Sequence, residues 1–189
     1  MGVSLKKGQR ISLSKENKEL SKVVAGLGWD PVDGSSAQID CDSSVLMLDA
    51  ADKLGGIKNV VYFGSLSSID GSIVHKGDNL TGEGEGDDEQ IVVDLSAVPQ
   101  DIRKLVFVVN IYKCTQRNQH FGMIKSAFIR IVNLADNKEL ARFNLTEEYA
   151  GQTSLIVAEI YRHNEEWKFA AIGQGSKAAS LEEILKSYK

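Results

Sequence analysis

A glycine-rich segment with an unusual density of carboxylates is the chemically most distinctive part of the sequence. Residues 77–89 run Gly-Asp-Asn-Leu-Thr-Gly-Glu-Gly-Glu-Gly-Asp-Asp-Glu, and the last twelve of them hold six carboxylates and no Lys or Arg. Two carboxylates about 4 Å apart repel each other by roughly 4 kcal/mol at an effective dielectric constant of about 20. The segment must therefore either stay solvated as a hairpin loop or bind a cation that neutralises it.

Calcium is the cation that these residue types favour. Glycines at positions 82, 84 and 86 allow backbone carbonyl oxygens to turn toward one point, because glycine accepts conformations that other residues avoid. Ca²⁺ takes about six to eight carbonyl and carboxylate oxygens in irregular geometry, whereas Mg²⁺ demands an octahedron. The segment contains no His or Cys for a softer metal.

Other loop motifs do not fit this segment. Asp78 and Glu89 stand in the first and twelfth positions of an EF-hand, but the third is Leu80 and the sixth is Glu83, where an EF-hand requires glycine. The glycine spacing also lacks the Gly-Lys-Ser/Thr ending of a phosphate-binding loop. A calcium loop of another type and a solvated hairpin loop are the alternatives left open.

A second acidic stretch, residues 23–52, contains six Asp and no Lys or Arg. Within it, Asp40 and Asp42 alternate with Ile39 and Cys41, so the two-residue period of a strand places both carboxylates on one face, about 7 Å apart. Such a pair forms either one side of a metal site or an exposed polar face.

Two separate carboxylates are further candidate ligands. Asp30 ends an apolar segment, and Asp70 precedes a glycine, a dipeptide that is typical of turns. Together the acidic residues predict two calcium ions, bound where residues 78–89 meet the strand of Asp40 and Asp42. Without metal, repulsion among these carboxylates should loosen the region.

The elements that must position these residues are mainly strands. Short segments rich in β-branched and aromatic residues recur between Gly, Asn and Asp, as is typical of strands and turns. Eleven strands are predicted, the first two as a pair, at residues 3–5, 11–13, 23–29, 39–48, 60–63, 91–95, 105–112, 127–132, 140–145, 155–162 and 167–172. Because each amphipathic sheet must bury one face against another layer, the pattern predicts an antiparallel β-sandwich.

Helical signals are few. Residues 99–103 predict one helical turn, and Ser180 before residues 181–185 supplies a cap residue with Glu at the third helical position and an apolar i, i+3, i+4 set. We therefore expect short helical turns and a short C-terminal helix. The length of 189 residues, the hydrophobic fraction of 42% and the lack of a linker predict a single domain, residues 1–189.

The sequence lacks the features of several classes of protein: membrane-spanning proteins, nucleic-acid-binding proteins and common types of enzyme. The apolar runs are far shorter than the roughly 20 residues of a membrane-spanning helix, and no signal segment opens the chain, so we expect a cytoplasmic protein without a transmembrane segment. Basic residues are dispersed, so we expect no nucleic-acid partner. Three scattered histidines and two isolated cysteines give no catalytic constellation, and we expect no enzymatic activity. His75, three residues before Asp78, either supports a metal ligand or lies in a turn, and the turn is the favoured interpretation.

These segments resemble the TerD family of tellurium-resistance and bacterial stress-response proteins. The matching pieces lie at residues 3–9, 26–30, 39–42, 70–89, 121–122, 127–132, 139–142, 161–169 and 173–175, and the run at 77–89 is the most specific. Cys41 and Ser43 stand where family members usually have Leu and Ala, and these small changes are compatible with the metal binding that the resemblance implies.

The resemblance implies a calcium-binding β-sandwich encoded with companion stress and tellurium-resistance proteins, and an integral membrane partner at the inner face of the membrane. The calcium ligands that it implies, some of them through backbone carbonyls, are Asp40, Asp42, Asp78, Asn79, Gly82, Gly84, Gly86, Asp87, Asp88 and Glu89. The predicted function is a calcium-organised interaction module in a tellurite-resistance or stress-response assembly. The alternatives are calcium-dependent binding of a phosphate or metabolite and thiol-dependent tellurite processing by Cys41 or Cys114.

Overall fold

Twelve strands make up most of the regular structure in the computed structural model, which describes residues 2–15, 17–31, 39–77, 86–145 and 149–189. The strands are β1 (Val3–Leu5), β2 (Arg10–Ser12), β3 (Lys22–Pro31), β4 (Cys41–Leu48), β5 (Val60–Val61), β6 (Ile73–His75), β7 (Glu89–Asp94), β8 (Lys104–Ile111), β9 (Ile124–Asn133), β10 (Glu139–Asn144), β11 (Ser154–His163) and β12 (Glu166–Ser176). The helices are α1 (Cys114–Arg117) and α2 (Leu181–Leu185), with 3₁₀ turns at Ile57–Asn59, Phe121–Met123 and Lys186–Tyr188.

The strands form two six-stranded sheets that share an apolar core. The first sheet has the order β1-β10-β9-β3-β7-β6, and the second has the order β2-β12-β11-β8-β4-β5. Among the described strands every pairing is antiparallel except that of β1 with β10. The predicted antiparallel β-sandwich is therefore confirmed.

The first two strands differ from the prediction that they pair with each other. β1 instead lies beside β10 in the first sheet, and β2 lies beside β12 in the second. The Gly8 N–H donates to the Ala171 carbonyl at 2.8 Å, and the Ala171 N–H donates to the Gln9 carbonyl at 3.0 Å. These bonds hold the connecting turn against β12, so the chain passes from one sheet to the other instead of folding back on itself.

The second sheet is covered on both faces. Its inner face joins the main core, and its outer face carries a smaller apolar cluster that α2 covers; the cluster comprises Leu46, Leu48, Val60, Val106, Val108, Ile184 and Leu185. Because both faces of this sheet are covered, nearly every residue of β4 and β8 is buried, including the polar Asp42, Ser43 and Ser44 of β4.

The predicted C-terminal helix is present as α2. The Ser180 hydroxyl oxygen accepts from the Glu183 N–H at 3.4 Å, and the following turn is fixed where the Leu54 N–H donates to the Tyr188 carbonyl at 2.7 Å. In the described part of the chain, no helix is long and apolar enough to cross a bilayer.

Four strand ends bring the acidic stretches to one end of the sandwich. β4 begins directly after Asp40 and β7 begins at Glu89, while β3 ends at Pro31 and β6 ends at His75. The register pairs Leu27 of β3 with Glu89 of β7, so β7 starts beside the last residues of β3.

Candidate metal centre

The described residues hold part of the predicted ligand set. Asp78, Asn79, Gly82 and Gly84 lie outside the described residues. The candidates inside them are Asp30, Asp40, Asp42, Asp70, Gly86, Asp87, Asp88 and Glu89.

Glu89 joins the two acidic stretches. Its side chain is buried, and its Oε2 accepts from the Ser43 N–H at 2.9 Å. β5 pairs with β4 only at Val45 and Leu46, so the edge of β4 near Ser43 receives this carboxylate in place of a neighbouring strand. The end of the acidic loop therefore lies against the beginning of β4.

Asp40 and Asp42 are buried, with relative exposures of 5% and 4%, so they do not form the exposed polar face that the sequence also allowed. Asp40 Oδ2 lies 3.6 Å from Arg117 Nη1 of α1, and Asp42 Oδ2 accepts from Asn110 Nδ2 of β8 at 3.4 Å. Burial raises the pKa of Asp40; Arg117 opposes that shift, and the charge of Glu89 adds to it.

One atom of Asp40 stands out. Its Oδ1 is buried and has no hydrogen-bond partner among the described residues, and the same holds for Oδ1 of the neighbouring Asn110. A buried oxygen without a donor is costly. Two such oxygens beside Asp42 are suited to a cation that accepts oxygen ligands.

Asp88 lies between the loop end and β3. Its Oδ2 accepts from the Trp29 N–H at 2.8 Å. Burial raises the pKa of Asp88, and the nearby charges of Asp30, Glu89 and Asp87 raise it further, against the hydrogen bond from Trp29. Asp30 itself accepts from the Ser126 hydroxyl. These carboxylates are close enough to repel one another.

Asp87 is engaged by a partner that the sequence did not reveal. The Arg130 guanidinium of β9 donates to both of its carboxylate oxygens, from Nε at 2.7 Å and from Nη2 at 3.0 Å, and Gln90 Nε2 donates at 3.1 Å. The implied ligand Asp87 is thus a bidentate ion-pair partner of Arg130, whose position on β9 gave no sign of the contact.

Two glycines of β3 provide room for the loop end. A Cβ on Gly26 would overlap the Asp87 carboxylate. A Cβ on Gly28 would lie 2.9 Å from the carbonyl oxygen of Gly86 and 2.5 Å from the Phe128 ring. These positions belong to the segment 26–30, which resembles the TerD family, and their role here is to allow close approach.

Asp70 lies apart from the other candidates. Its Oδ1 accepts from the Ser72 N–H at 2.8 Å and from the Ser68 hydroxyl at 3.2 Å, within one turn. Burial raises the pKa of Asp70, but these hydrogen bonds outweigh it and leave the pKa lowered. The turn precedes β6, at the opposite end of that strand from His75.

His75 is a buried strand residue, not the turn residue that the sequence suggested. Its Nδ1 accepts from the Gly77 N–H at 3.2 Å, and its Nε2 lies 3.1 Å from Ser43 Oγ and 3.4 Å from Glu89 Oε2. Because Nδ1 is an acceptor, the neutral ring carries its proton on Nε2. With its proton on Nε2, the ring donates from this atom and does not accept a hydrogen bond from the Ser43 hydroxyl. Because Nε2 also lies near the Glu89 carboxylate, the ring helps to orient Glu89.

Both cysteines are buried and free. Burial raises the pKa of the Cys41 thiol well above its usual value, and the charges of Glu89, Asp42, Asp40 and Asp88 add to the effect. This environment is the opposite of the electropositive one that activates a thiolate.

The described carboxylates do not form a complete metal site by themselves. Across residues 2–15, 17–31, 39–77, 86–145 and 149–189, no three His, Cys, Asp or Glu side chains form a group that could hold a metal ion. The donor set is nevertheless made of hard oxygens, and the unpartnered Asp40 Oδ1 fits the chemistry of calcium.

Sequence comparisons match this chain to a protein family and to several relatives. A profile of the TerD domain matches residues 1–188. Stress response protein SCP2 of Bacillus subtilis (strain 168) is 53% identical over 199 aligned positions, which cover 100% of both chains. Tellurium resistance protein TerD of Serratia marcescens is 43% identical over 188 positions, which cover 100% of this chain and 97% of its own.

Two crystal structures share the fold. A protein of unknown function, SAV2460, superposes with a TM-score of 0.71 at 23% identity, over 90% of this chain and 98% of its own. SCO6318 of Streptomyces coelicolor A3(2), described as a homologue of telluride resistance protein (TerD), gives a TM-score of 0.65 at 22% identity, over 87% and 98%. At these identities the likeness establishes the architecture alone.

Proposed function

Since this chain belongs to the TerD family, whose members include tellurium-resistance and stress-response proteins, we propose that it is a calcium-binding interaction module of such a system. Calcium holds the end of the acidic loop against β4. The resulting surface is rigid enough for a partner to recognise.

The observation that carries this proposal is the excess of carboxylate at one end of the sandwich. Asp42, Asp88 and Glu89 gather there with Asp40, whose Oδ1 is buried and lacks a hydrogen-bond partner in the described ranges. Arg117 faces Asp40 but is itself partly exposed. Placing several carboxylates in a poorly solvated region is unfavourable without compensating positive charge, and a divalent cation would supply it.

The ligands would come from Asp40, Asp42, Asp88 and Glu89, with the carbonyl of Gly86 and oxygens of residues 78–85 completing two sites. Asp87 stays paired with Arg130. Bound calcium contributes positive charge and links β4 of the second sheet to β7 of the first. The chain's own part is to hold Glu89 in place through Ser43 and His75, and to leave space at Gly26 and Gly28.

Thermal melts with calcium and with chelator test this proposal, using Asp42→Asn against Asp70→Asn as a matched control. Calcium at about 100 times its dissociation constant should raise the melting temperature of the parent and of Asp70→Asn by about 5 to 10 °C. Asp42→Asn should lose most of that rise. An equal loss in both variants, or no rise in the parent, would contradict the proposed ligand set.

We also propose that the partners are other tellurium-resistance and stress proteins, including an integral membrane protein, and that the chain acts in the cytoplasm at the inner membrane face. Affinity capture from membrane and soluble fractions, with calcium and with chelator, tests this. Calcium-dependent recovery of the same partners would support the module, whereas identical recovery in chelator would make calcium only a structural component.

The proposed mode of action is binding and not catalysis. The thiol-dependent alternative requires an activated cysteine, but the burial of Cys41 and its acidic neighbours raise the pKa of its thiol. Purified protein should therefore reduce no tellurite. Turnover by the parent that is lost in Cys41→Ser or Cys114→Ser would overturn this part of the proposal.

A further inference from the structure

An exposed aromatic and aliphatic surface lies on the segment between β5 and β6. Phe63 and Leu66 are each 44% exposed. The Phe63 ring packs edge to face against Tyr62, with ring centroids 5.4 Å apart, and against Tyr112, with centroids 6.2 Å apart. Leu66 follows Phe63 by three residues in the same segment, and we call Phe63, Leu66 and the adjoining Tyr112 the aromatic surface.

Hydrogen bonds connect this surface to the candidate metal centre on both sides. The Tyr112 N–H donates to the Asp40 carbonyl at 2.8 Å. The Leu66 carbonyl accepts from the His75 N–H, also at 2.8 Å. The aromatic surface therefore adjoins the centre, and a partner that covers one would meet the other.

The aromatic surface is bordered by positive charge. Lys113 Nζ lies 5.0 Å from the centroid of the Tyr112 ring, and the Arg117 guanidinium carbon lies 5.5 Å from it. Both distances suit cation–π contact, which holds the two cations beside the ring. Exposed apolar side chains beside cations match a partner that is both apolar and anionic.

We propose that the aromatic surface, with Lys113 and Arg117, docks onto a bilayer that contains anionic phospholipids. A stable protein interface buries about 800 Å² on each partner, whereas a peripheral membrane contact needs only a few apolar side chains and nearby cations. Phe63 and Leu66 enter the headgroup region and Lys113 meets lipid phosphate, while Arg117 is shared with Asp40, 3.6 Å away. Bound calcium could also bridge the protein to lipid phosphates, and only that part of the proposal rests on the proposed function.

Vesicle co-sedimentation tests the proposal, with phosphatidylcholine vesicles compared with mixed phosphatidylcholine and phosphatidylglycerol vesicles. The parent should bind the anionic vesicles more strongly. The double variant Phe63→Ser with Leu66→Ser should bind about tenfold less, because it removes two partly exposed apolar side chains. Lys113→Glu should bind the anionic vesicles at least about fivefold more weakly than the parent does, and this difference should become smaller at high salt.

Ile69→Ser is the matched control. Ile69 is 79% exposed, more than either residue of the double variant, but it lies in the turn before β6, at the far end of that strand from His75. Its substitution should leave vesicle binding unchanged. A double variant that binds like the parent, or an Ile69→Ser loss of equal size, would overturn the docking surface.

Calorimetry with calcium on the same samples separates this proposal from the preceding one. Calcium binding without vesicle binding would overturn the lipid proposal and leave the calcium proposal standing. Vesicle binding in chelator that depends on Phe63 and Leu66, in protein that binds no calcium, would support the lipid surface and overturn the calcium proposal. A third outcome is that the parent binds no vesicles but binds a captured protein partner, and that the double variant loses this binding. That result would assign the aromatic surface to the protein partner instead.

Discussion

Gly26 illustrates how single residues without charge shape the acidic end of the sandwich. It leaves the space in β3 that the Asp87 carboxylate occupies, and Arg130 on β9 then holds that carboxylate through two donors. The structure brings Asp40, Asp42, Asp88 and Glu89 to one end of the sandwich, but the sequence could not reveal that Asp87 already has Arg130 as its cation. That pairing depends on contacts between residues far apart in the chain.

Gly26→Ala should destabilise the protein by about 1 to 3 kcal/mol, because the new methyl group overlaps the Asp87 carboxylate and must displace it. Gly55→Ala is the matched control, since its Cβ would meet Asn59 only at 3.5 Å, an ordinary contact distance. Urea unfolding measures both. A similar stability for the two variants would contradict this role of Gly26.

Arg130→Met should lower the free energy of unfolding by roughly 2 kcal/mol, because it leaves the Asp87 side chain, which is 1% exposed, without its main cation. The arginine is itself 30% exposed, so we expect less than for a fully buried pair. Adding Asp87→Asn should restore part of the loss. In a double-mutant cycle by urea unfolding, strictly additive effects would show that the ion pair is not the cause.

Elements differ in how well the sequence predicted them. The long strands β8, β9, β11 and β12 agree with the prediction because their apolar runs and their alternation are strong. On β9, Ile129 and Ile131 alternate with Arg130 and are fully buried. β6 was not among the predicted strands. The pairing of β1 with β10 and of β2 with β12 is long-range, and the turn at Gly8 is held to Ala171 of β12; the local sequence pattern contains neither kind of contact.

The C-terminal segment gives a prediction at the scale of an element. Burial, followed by the charges of Glu159 and Asp52, raises the pKa of Tyr188 from 10.0 to about 12. Between these values the unfolded chain loses the tyrosine proton first, so stability should fall as the pH rises from about 10 and stop falling near 12. Tyr188→Phe should remove that decline in alkaline urea unfolding. An unchanged decline would place Tyr188 in solvent.

At the scale of the whole molecule, charge is distributed unevenly along the chain: residues 23–52 and 77–102 hold fourteen Asp and Glu and no Lys or Arg, so the remaining residues are net basic. The formal charge of −4 is the sum of these unlike parts, and two calcium ions would bring it to zero. The sequence predicted that residues 78–89 meet the strand of Asp40 and Asp42, and the Glu89 to Ser43 hydrogen bond places the end of that segment against β4. It could not predict Asn110 or Arg117 at the same place, because each comes from another element.

Calorimetric titration of the whole chain with Ca²⁺, with Mg²⁺ as the comparison, measures the calcium binding on which the proposed function depends. We predict that about two Ca²⁺ ions bind and that Mg²⁺ binds far more weakly, because carboxylate and carbonyl donors in an irregular arrangement suit Ca²⁺, whereas Mg²⁺ requires an octahedron. Asp42→Asn should weaken Ca²⁺ binding and Asp70→Asn should not. No binding heat at millimolar Ca²⁺, together with an unchanged melting temperature, would show that the chain does not bind calcium.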